Sequence, residues 1–254
     1  MKNKITIAVD AMGGENSPKK IIDGLILHQQ KSQNVFYKIF GDANTIDKCI
    51  KKNISRDKYE IIHTEEKVED EDSALSGAKK SKKTSMWLAV ESVKKKEADI
   101  IISAGNTGAL FVISKLNLKM LDLIDKPALS ALWPNKKGMN VVLDLGANID
   151  CNEKNLIDFS IMGSSLFKAL FPNEIPKVAL LNIGSEAFKG SEVIKNTYQS
   201  LNENEYDFEF KGYVEGNNIM NGDVNVIVTD GFTGNIALKT AEGTANFIIE
   251  KLKI

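Results

Sequence analysis

An apolar run, then Gly-x-Thr-Gly, then a second apolar segment occurs twice in this chain. The first copy reads Ile100-Ile101-Ile102-Ser103-Ala104-Gly105-Asn106-Thr107-Gly108-Ala109-Leu110. The second reads Val226-Ile227-Val228-Thr229-Asp230-Gly231-Phe232-Thr233-Gly234-Asn235-Ile236-Ala237-Leu238. Short β-branched runs read as buried strands, and the small residues behind them let the backbone turn into a helix whose first N–H groups lack an intrahelical acceptor. Such a turn cradles an anion. Two of them commit the chain to strand–loop–helix units and point to phosphate or an oxyanion as the ligand.

The same alternation extends along the chain. Ile5–Asp10 reads as a strand that opens into Ala11-Met12-Gly13-Gly14-Glu15-Asn16, after which Ser17 offers a helix cap and Pro18 a first helical residue. Strands are predicted at Val35–Phe40, Tyr59–His63, Ile100–Ser103, Ala128–Trp133, Val141–Leu145, Val178–Leu181, Phe208–Tyr213 and Val224–Thr229. Helices are predicted behind Pro18, at Asn44–Lys51, from Thr84 or Ser85 to Lys95, at Glu153–Leu170, at Glu192–Leu201 and at Asn235–Ile254. Repeated units of this kind imply an α/β fold: a largely parallel sheet with helices on both faces and ligands beyond the carboxyl ends of its strands. Glycine-bearing loops after Asp10, Ser103, Leu145, Leu181 and Thr229 would gather at that edge.

Composition narrows the function classes. The 254 residues, 43% hydrophobic, suffice for a substantial core, and no low-complexity stretch divides them, so one domain over residues 1–254 is expected. With 33 Lys and Arg against 34 Asp and Glu, the net charge of −1 gives no general reason to bind nucleic acid. Charge is segregated instead: acidic residues from Glu65 to Asp72 precede Lys79, Lys80, Lys82 and Lys83. Two cysteines, Cys49 and Cys151, have no metal-ligand spacing and fit a reducing cytoplasm. The start, Met1-Lys2-Asn3-Lys4, carries no leader-like segment, and no run reaches the roughly 20 apolar residues of a membrane span. A cytoplasmic protein is expected, with membrane contact at most peripheral.

Taken together, the five loops resemble the bacterial phosphate acyltransferase family of phospholipid synthesis. The matching residues are Asp10-Ala11-Met12-Gly13-Gly14, Ser103 to Leu110, Asp144-Leu145-Gly146-Ala147-Asn148, Leu180-Leu181-Asn182-Ile183-Gly184 with Lys189-Gly190, and Thr229 to Asn235. The resemblance implies a three-layer α/β/α fold with a largely parallel mixed sheet, shared with isopropylmalate dehydrogenases and phosphotransacetylases, usually in a homodimer. It implies transfer of a fatty acyl group from acyl carrier protein to inorganic phosphate. The acyl phosphate would then serve glycerol-3-phosphate acylation, with a membrane acyltransferase as downstream partner, at the inner face of the membrane. No cofactor and no metal are implied. Two departures stand out: Glu15 replaces the family's usual Asp after the double glycine, and relatives continue for several dozen residues beyond the last helix, with helical structure implicated in dimer and membrane contact. On that ground a fragment or a shortened product is expected.

The implied reaction needs little proton transfer, since phosphate is already an anion and a thiolate leaves readily. It needs alignment and oxyanion stabilisation. The resemblance assigns phosphate contact to Asn106 and Thr107 with the backbone of Gly105 and Gly108, and to the second loop through Gly231, Thr233, Gly234 and Asn235; tight strand–helix packing is the alternative reading of the glycines. Lys189 is the candidate for the charge that offsets phosphate or the thioester oxyanion, or else a solvated loop lysine. Asp10, Gly13, Gly14, Asp144, Asn148 and Asn182 would support these loops, with the carboxylates orienting neighbours and the asparagines donating to anions or capping helices. Lys79, Lys80, Lys82 and Lys83 could steer an acidic carrier protein or form a solvated face. His28 and His63 lack a nucleophile motif, and Cys151 reads as a packing residue or an acylation site. The rival readings are an acyl-CoA phosphotransacylase, an isopropylmalate-type NAD-dependent dehydrogenase and a non-catalytic phosphate- or acyl-binding protein. Arg56, the only arginine, cannot build the dehydrogenase's carboxylate clamp.

Overall fold

A computed structural model describes residues 4–32, 34–51 and 53–252. The chain divides by its internal contacts into two compact units, residues 1–119 and 120–254. In the first, β1 (Ile5–Asp10), β2 (Val35–Gly41), β3 (Tyr59–His63) and β4 (Ile100–Ser103) form a parallel sheet in the order β3-β2-β1-β4. Successive side chains of β1 point to opposite faces. Ile7 and Val9 enter a core with Tyr37 and Ile39 under α1 (Lys19–Lys31) and α2 (Ala43–Ile50). Ala8 faces the other way, toward Phe40 and Ala89. That second face is covered by α4 (Ser85–Lys94), which Thr84 caps through a hydrogen bond from the Trp87 N–H.

Two elements of this unit departed from the sequence reading. Ser17 does not cap α1; its hydroxyl donates to the Gly13 carbonyl at 2.6 Å and to that of Gly14, turning back into the loop. A helix absent from the prediction, α3 (Ala74–Lys80), lies inside the charged segment, capped by Ser73, and buries Gly77 and Ala78. It packs on α5 (Thr107–Leu118), the helix that follows the first Gly-x-Thr-Gly turn.

The second unit holds β5 (Ser130–Asn135), β6 (Gly138–Leu143), β7 (Lys177–Asn182), β8 (Glu209–Glu215) and β9 (Val226–Val228) in the order β5-β6-β9-β7-β8. Only β5 runs antiparallel, at the edge, where Pro134 can sit without a ladder hydrogen bond. Val141, Leu143, Val226, Val228, Val178 and Leu180 form a core with Leu156, Phe159 and Phe167 of α6 (Glu153–Leu170), against which α7 (Glu192–Glu203) also packs. On the opposite face Val142, Ala179, Leu181 and Ile227 meet α8 (Gly231–Leu252) through Ala237, Leu238 and Ala241.

The α/β class and the mostly parallel strands hold, but the strands belong to two sheets. The glycine-bearing loops accordingly fall into two sets, those after β1 and β4 in the first unit and those after β6, β7 and β9 in the second. The final helix begins at Gly231, four residues before the expected Asn235; the expected end at Ile254 lies outside the described residues, as do Met1–Asn3. Among the described residues no helix is long and apolar enough to cross a membrane.

Candidate active site

In the first unit the site is organised around Asp10 at the end of β1, only 1% exposed. Its carboxylate accepts the hydroxyls of Ser85 at 2.6 Å and Ser103 at 2.7 Å and the Met12 N–H at 3.2 Å. Ser103 in turn accepts the Gly105 N–H at 3.2 Å. These bonds tie the β1 loop to the β4 loop, whose backbones touch: a Cβ on Gly13 would stand 2.7 Å from the Gly105 nitrogen. Gly14, with φ +83°, lies against the Ala104 carbonyl in a conformation that L side chains rarely adopt.

Asn106 is the N-cap of α5. Its Oδ1 accepts the Ala109 N–H at 2.9 Å, and its Nδ2 donates to the carbonyls of Asp72 at 2.7 Å and Asp70 at 3.2 Å. Its side chain is therefore committed to the loop and to the acidic segment before α3. Thr107 and Gly108 are already helical and exposed or half-exposed, and among the described residues no acceptor meets their N–H groups. Their N–H groups are the open donors at the start of α5. Gly108 has a second duty, because a Cβ there would stand 2.8 Å from that of Ala74 on α3.

In the second unit the corresponding turns hold anions of the chain's own making. Asp144, fully buried after β6, accepts five N–H donors: those of Leu129, Gly146, Ala147 and Asn148 and the side-chain amide of Asn148. Asn148 gives its remaining amide hydrogen to the Pro127 carbonyl at 2.7 Å. Asp230 caps α8, accepting the Thr233 N–H and hydroxyl, each at 2.8 Å. The Gly231 N–H donates to the Asn148 carbonyl at 2.7 Å, and a Cβ on Gly234 would fall on the Asp144 carbonyl. Asn235 donates to the Leu145 carbonyl at 3.3 Å. The second Gly-x-Thr-Gly copy thus serves close packing of the first turn of α8 on the β6 loop, with its donors largely consumed.

Lys189 sits half-buried in the loop between β7 and α7; its ammonium lies 5.9 Å from the Phe188 ring centroid and has no carboxylate within salt-bridge distance among the described residues. Asn182, at the end of β7, donates both amide hydrogens to this loop, to the carbonyls of Gly184 and Lys189, each at 3.1 Å. The Lys189 loop and the start of α8 border one cavity of about 570 Å³, lined by residues of β7, Gly190, Ser191, Asp230 and Thr233.

The four lysines are exposed around the end of α3. Lys80 pairs with Asp72 at 3.4 Å and Lys82 lies over the Trp87 ring, which leaves Lys79 and Lys83 without a carboxylate partner among the described residues. Cys151 is half-buried; burial pushes its thiol above the ordinary range, against a smaller opposing effect of the Gly231 N–H. Arg56 precedes β3, on the amino side of the first sheet, bonded to Asp47 and the Tyr59 hydroxyl. What sequence reasoning missed is the occupancy of the turns and the α3 packing of Gly108; the Asp after β6 and the Asp before Gly231 were the available signals.

A family model described as fatty acid synthesis protein matches residues 5–253. The chain is 69% identical over its whole length, and 76% of the relative's, to a phosphate acyltransferase of Pelagibacter ubique strain HTCC1062. It is 45% identical, again over its whole length and 72% of the relative's, to a phosphate acyltransferase of Paramagnetospirillum magneticum. Among solved structures it resembles a phosphotransacetylase from Streptococcus pyogenes, with a TM-score of 0.67 and 18% identity over 96% of this chain and 82% of that one. The EutD phosphotransacetylase from Staphylococcus aureus gives a TM-score of 0.65 and 17% identity over 96% and 83%. At those identities the structures establish the shared α/β fold, whereas the matching relatives and the family model establish kinship, and the chain belongs to the bacterial phosphate acyltransferase family and is an acyltransferase.

Proposed function

We propose that the chain transfers a fatty acyl group from the thioester of acyl carrier protein to inorganic phosphate, yielding an acyl phosphate for glycerol-3-phosphate acylation. The observation that carries this reading is 69% identity over the full chain to a phosphate acyltransferase. The open N–H groups of Thr107 and Gly108 support it as the phosphate-facing turn, with Gly105 and Asn106 shaping that turn. In the reaction a phosphate oxygen attacks the thioester carbon, the tetrahedral oxyanion collapses, the C–S bond breaks, and the proton of hydrogen phosphate leaves with the sulfur as free thiol. Acyl phosphate and thiol form in equal amounts. Lys189, which has no carboxylate partner among the described residues, suits the role of offsetting the developing oxyanion, a type of contact worth about 3 kcal/mol of barrier where single donors have been removed.

The test is the production of acyl phosphate and free thiol from carrier-protein thioester, with and without phosphate. Thiol release that depends on phosphate and equals acyl phosphate formed is the expected result. Thiol release indifferent to phosphate would refute acyl transfer to phosphate. Equal use of the coenzyme A thioester would refute the preference for a carrier protein.

A further inference from the structure

The cavity of about 570 Å³ beside the Lys189 loop has apolar walls of Leu181, Ile183, Ile194, Ile236 and Ala237. Ile183 is 81% exposed and Ile236 51%, so the cavity leaves two large aliphatic side chains in contact with water. Exposed apolar surface gathered in a groove marks a ligand site more often than a chance feature of a surface. The polar side chains of the lining are already engaged. Asp230 accepts the Thr233 N–H and hydroxyl, Ser191 accepts the Ile194 N–H at 3.3 Å, and Asn182 donates both amide hydrogens to its own loop while its Oδ1 is buried. No lysine, arginine or histidine lines the cavity, whereas the carboxylate of Asp230 does. Gly216, directly after β8, completes the lining, and a Cβ built there meets nothing within 4 Å.

From this arrangement we infer that the cavity holds the fatty acyl chain of the thioester substrate, packed on Ile183, Ile194 and Ile236, and that the missing side chain of Gly216 sets how long a chain it takes. The assignment rests on the acyl-transfer reading above and adds where the transferred chain is held. The chemistry selects the acyl chain over the other components. An alkyl chain needs no hydrogen-bond partner, and each methylene it withdraws from water against these walls is worth about fourfold in affinity. Phosphate would meet a carboxylate and no cation. The amide-bearing arm of the thioester would carry N–H and C=O groups to walls whose polar atoms are spent, and such groups are costly to bury unpaired. Gly190 lines the cavity and follows Lys189 in the chain, so an acyl chain seated here brings its carbonyl end to the loop whose lysine suits the oxyanion. Gly216 is thus a specificity-determining position.

The test uses 2-oxoalkyl pantetheine thioethers, ketone analogues that cannot transfer an acyl group, in a series matching octanoyl to palmitoyl. Calorimetry on the unaltered chain should show affinity rising about fourfold per methylene until the cavity is full. In Gly216→Phe, checked for folding by its thermal melt, the preference for the palmitoyl over the octanoyl analogue should fall by about tenfold or more, the worth of two displaced methylenes. A palmitoyl analogue with a diazirine at the chain end gives a second measurement on the unaltered chain: after irradiation, peptide mass spectrometry should find the label on residues of the cavity wall. Affinity indifferent to chain length, an unchanged preference in a folded Gly216→Phe, or a label placed elsewhere overturns the assignment. Acyl phosphate formation from the matching carrier-protein thioesters is followed in parallel. Chain-length-selective binding and wall labelling without turnover would uphold the subsite and refute the acyl-transfer reading; turnover with a chain-length profile that Gly216→Phe does not alter would do the reverse.

Discussion

At the scale of single residues, a buried carboxylate does in this protein what an approaching anion would otherwise do. Asp144 fills the turn after β6 with five donors, and Asp230 takes the Thr233 N–H at the start of α8. Asp144→Asn turns one acceptor oxygen into an N–H2 that confronts N–H groups. It is expected to lower stability by about 3 kcal/mol, read from urea unfolding. A second prediction concerns Cys151. Its thiol is raised by burial, so the reactive thiolate becomes abundant only at pH above the ordinary thiol range. Alkylation of Cys151 should therefore be slow at neutral pH and accelerate in more alkaline buffer than a free thiol requires, and Cys151→Ala should retain acyl phosphate formation. Fast labelling at neutral pH would overturn the first expectation, and loss of acyl phosphate formation in a folded Cys151→Ala variant the second. Sequence made the position of the two strand-to-helix turns legible, since small residues behind a β-branched run let the backbone turn sharply into a helix. It did not reveal which turns are already occupied, because Asp144 acts on backbone groups across the loop and on Leu129, a contact made only by the folded chain.

At the scale of elements, periodicity located most strands and helices within a residue or two, because each has one or two apolar faces of the right period. It failed for α3, whose seven residues, Ala74-Leu75-Ser76-Gly77-Ala78-Lys79-Lys80, are too short and too small to show a stripe. The stabilisation of α3 comes from close approach to α5 through small residues: Gly77 would place a Cβ 3.1 Å from that of Ala109, and Gly108 one 2.8 Å from that of Ala74. Gly108→Ala is accordingly expected to cost about 1–3 kcal/mol by overpacking. The compensating pair Gly108→Ala with Ala74→Gly should recover most of that loss. If the single variant loses activity and the pair regains stability without activity, the glycine acts through its backbone at the turn as well as through packing; denaturant unfolding and turnover measured side by side separate the two.

For the molecule as a whole, a net charge of −1 leaves any electrostatic steering to local patches. The exposed lysines at the end of α3 are such a patch, thinned by the Lys80 pairing with Asp72. Charge reversal at Lys79 and Lys83 together is expected to raise KM for a carrier-protein thioester severalfold at low salt and to leave KM for an acyl pantetheine unchanged, a difference that added salt should erase. An equal change for both substrates would exclude docking. The glycines distribute freedom to vary unevenly across the same molecule. At Gly234 any side chain collides with a backbone carbonyl, whereas a Cβ on Gly243, nine residues further along the same helix, meets nothing within 4 Å. In a saturation library screened for soluble protein, position 234 should return glycine alone while position 243 accepts most residues, alanine gaining roughly 0.5–1 kcal/mol. One helix thus carries both an invariant anchor and a site where heritable change is free.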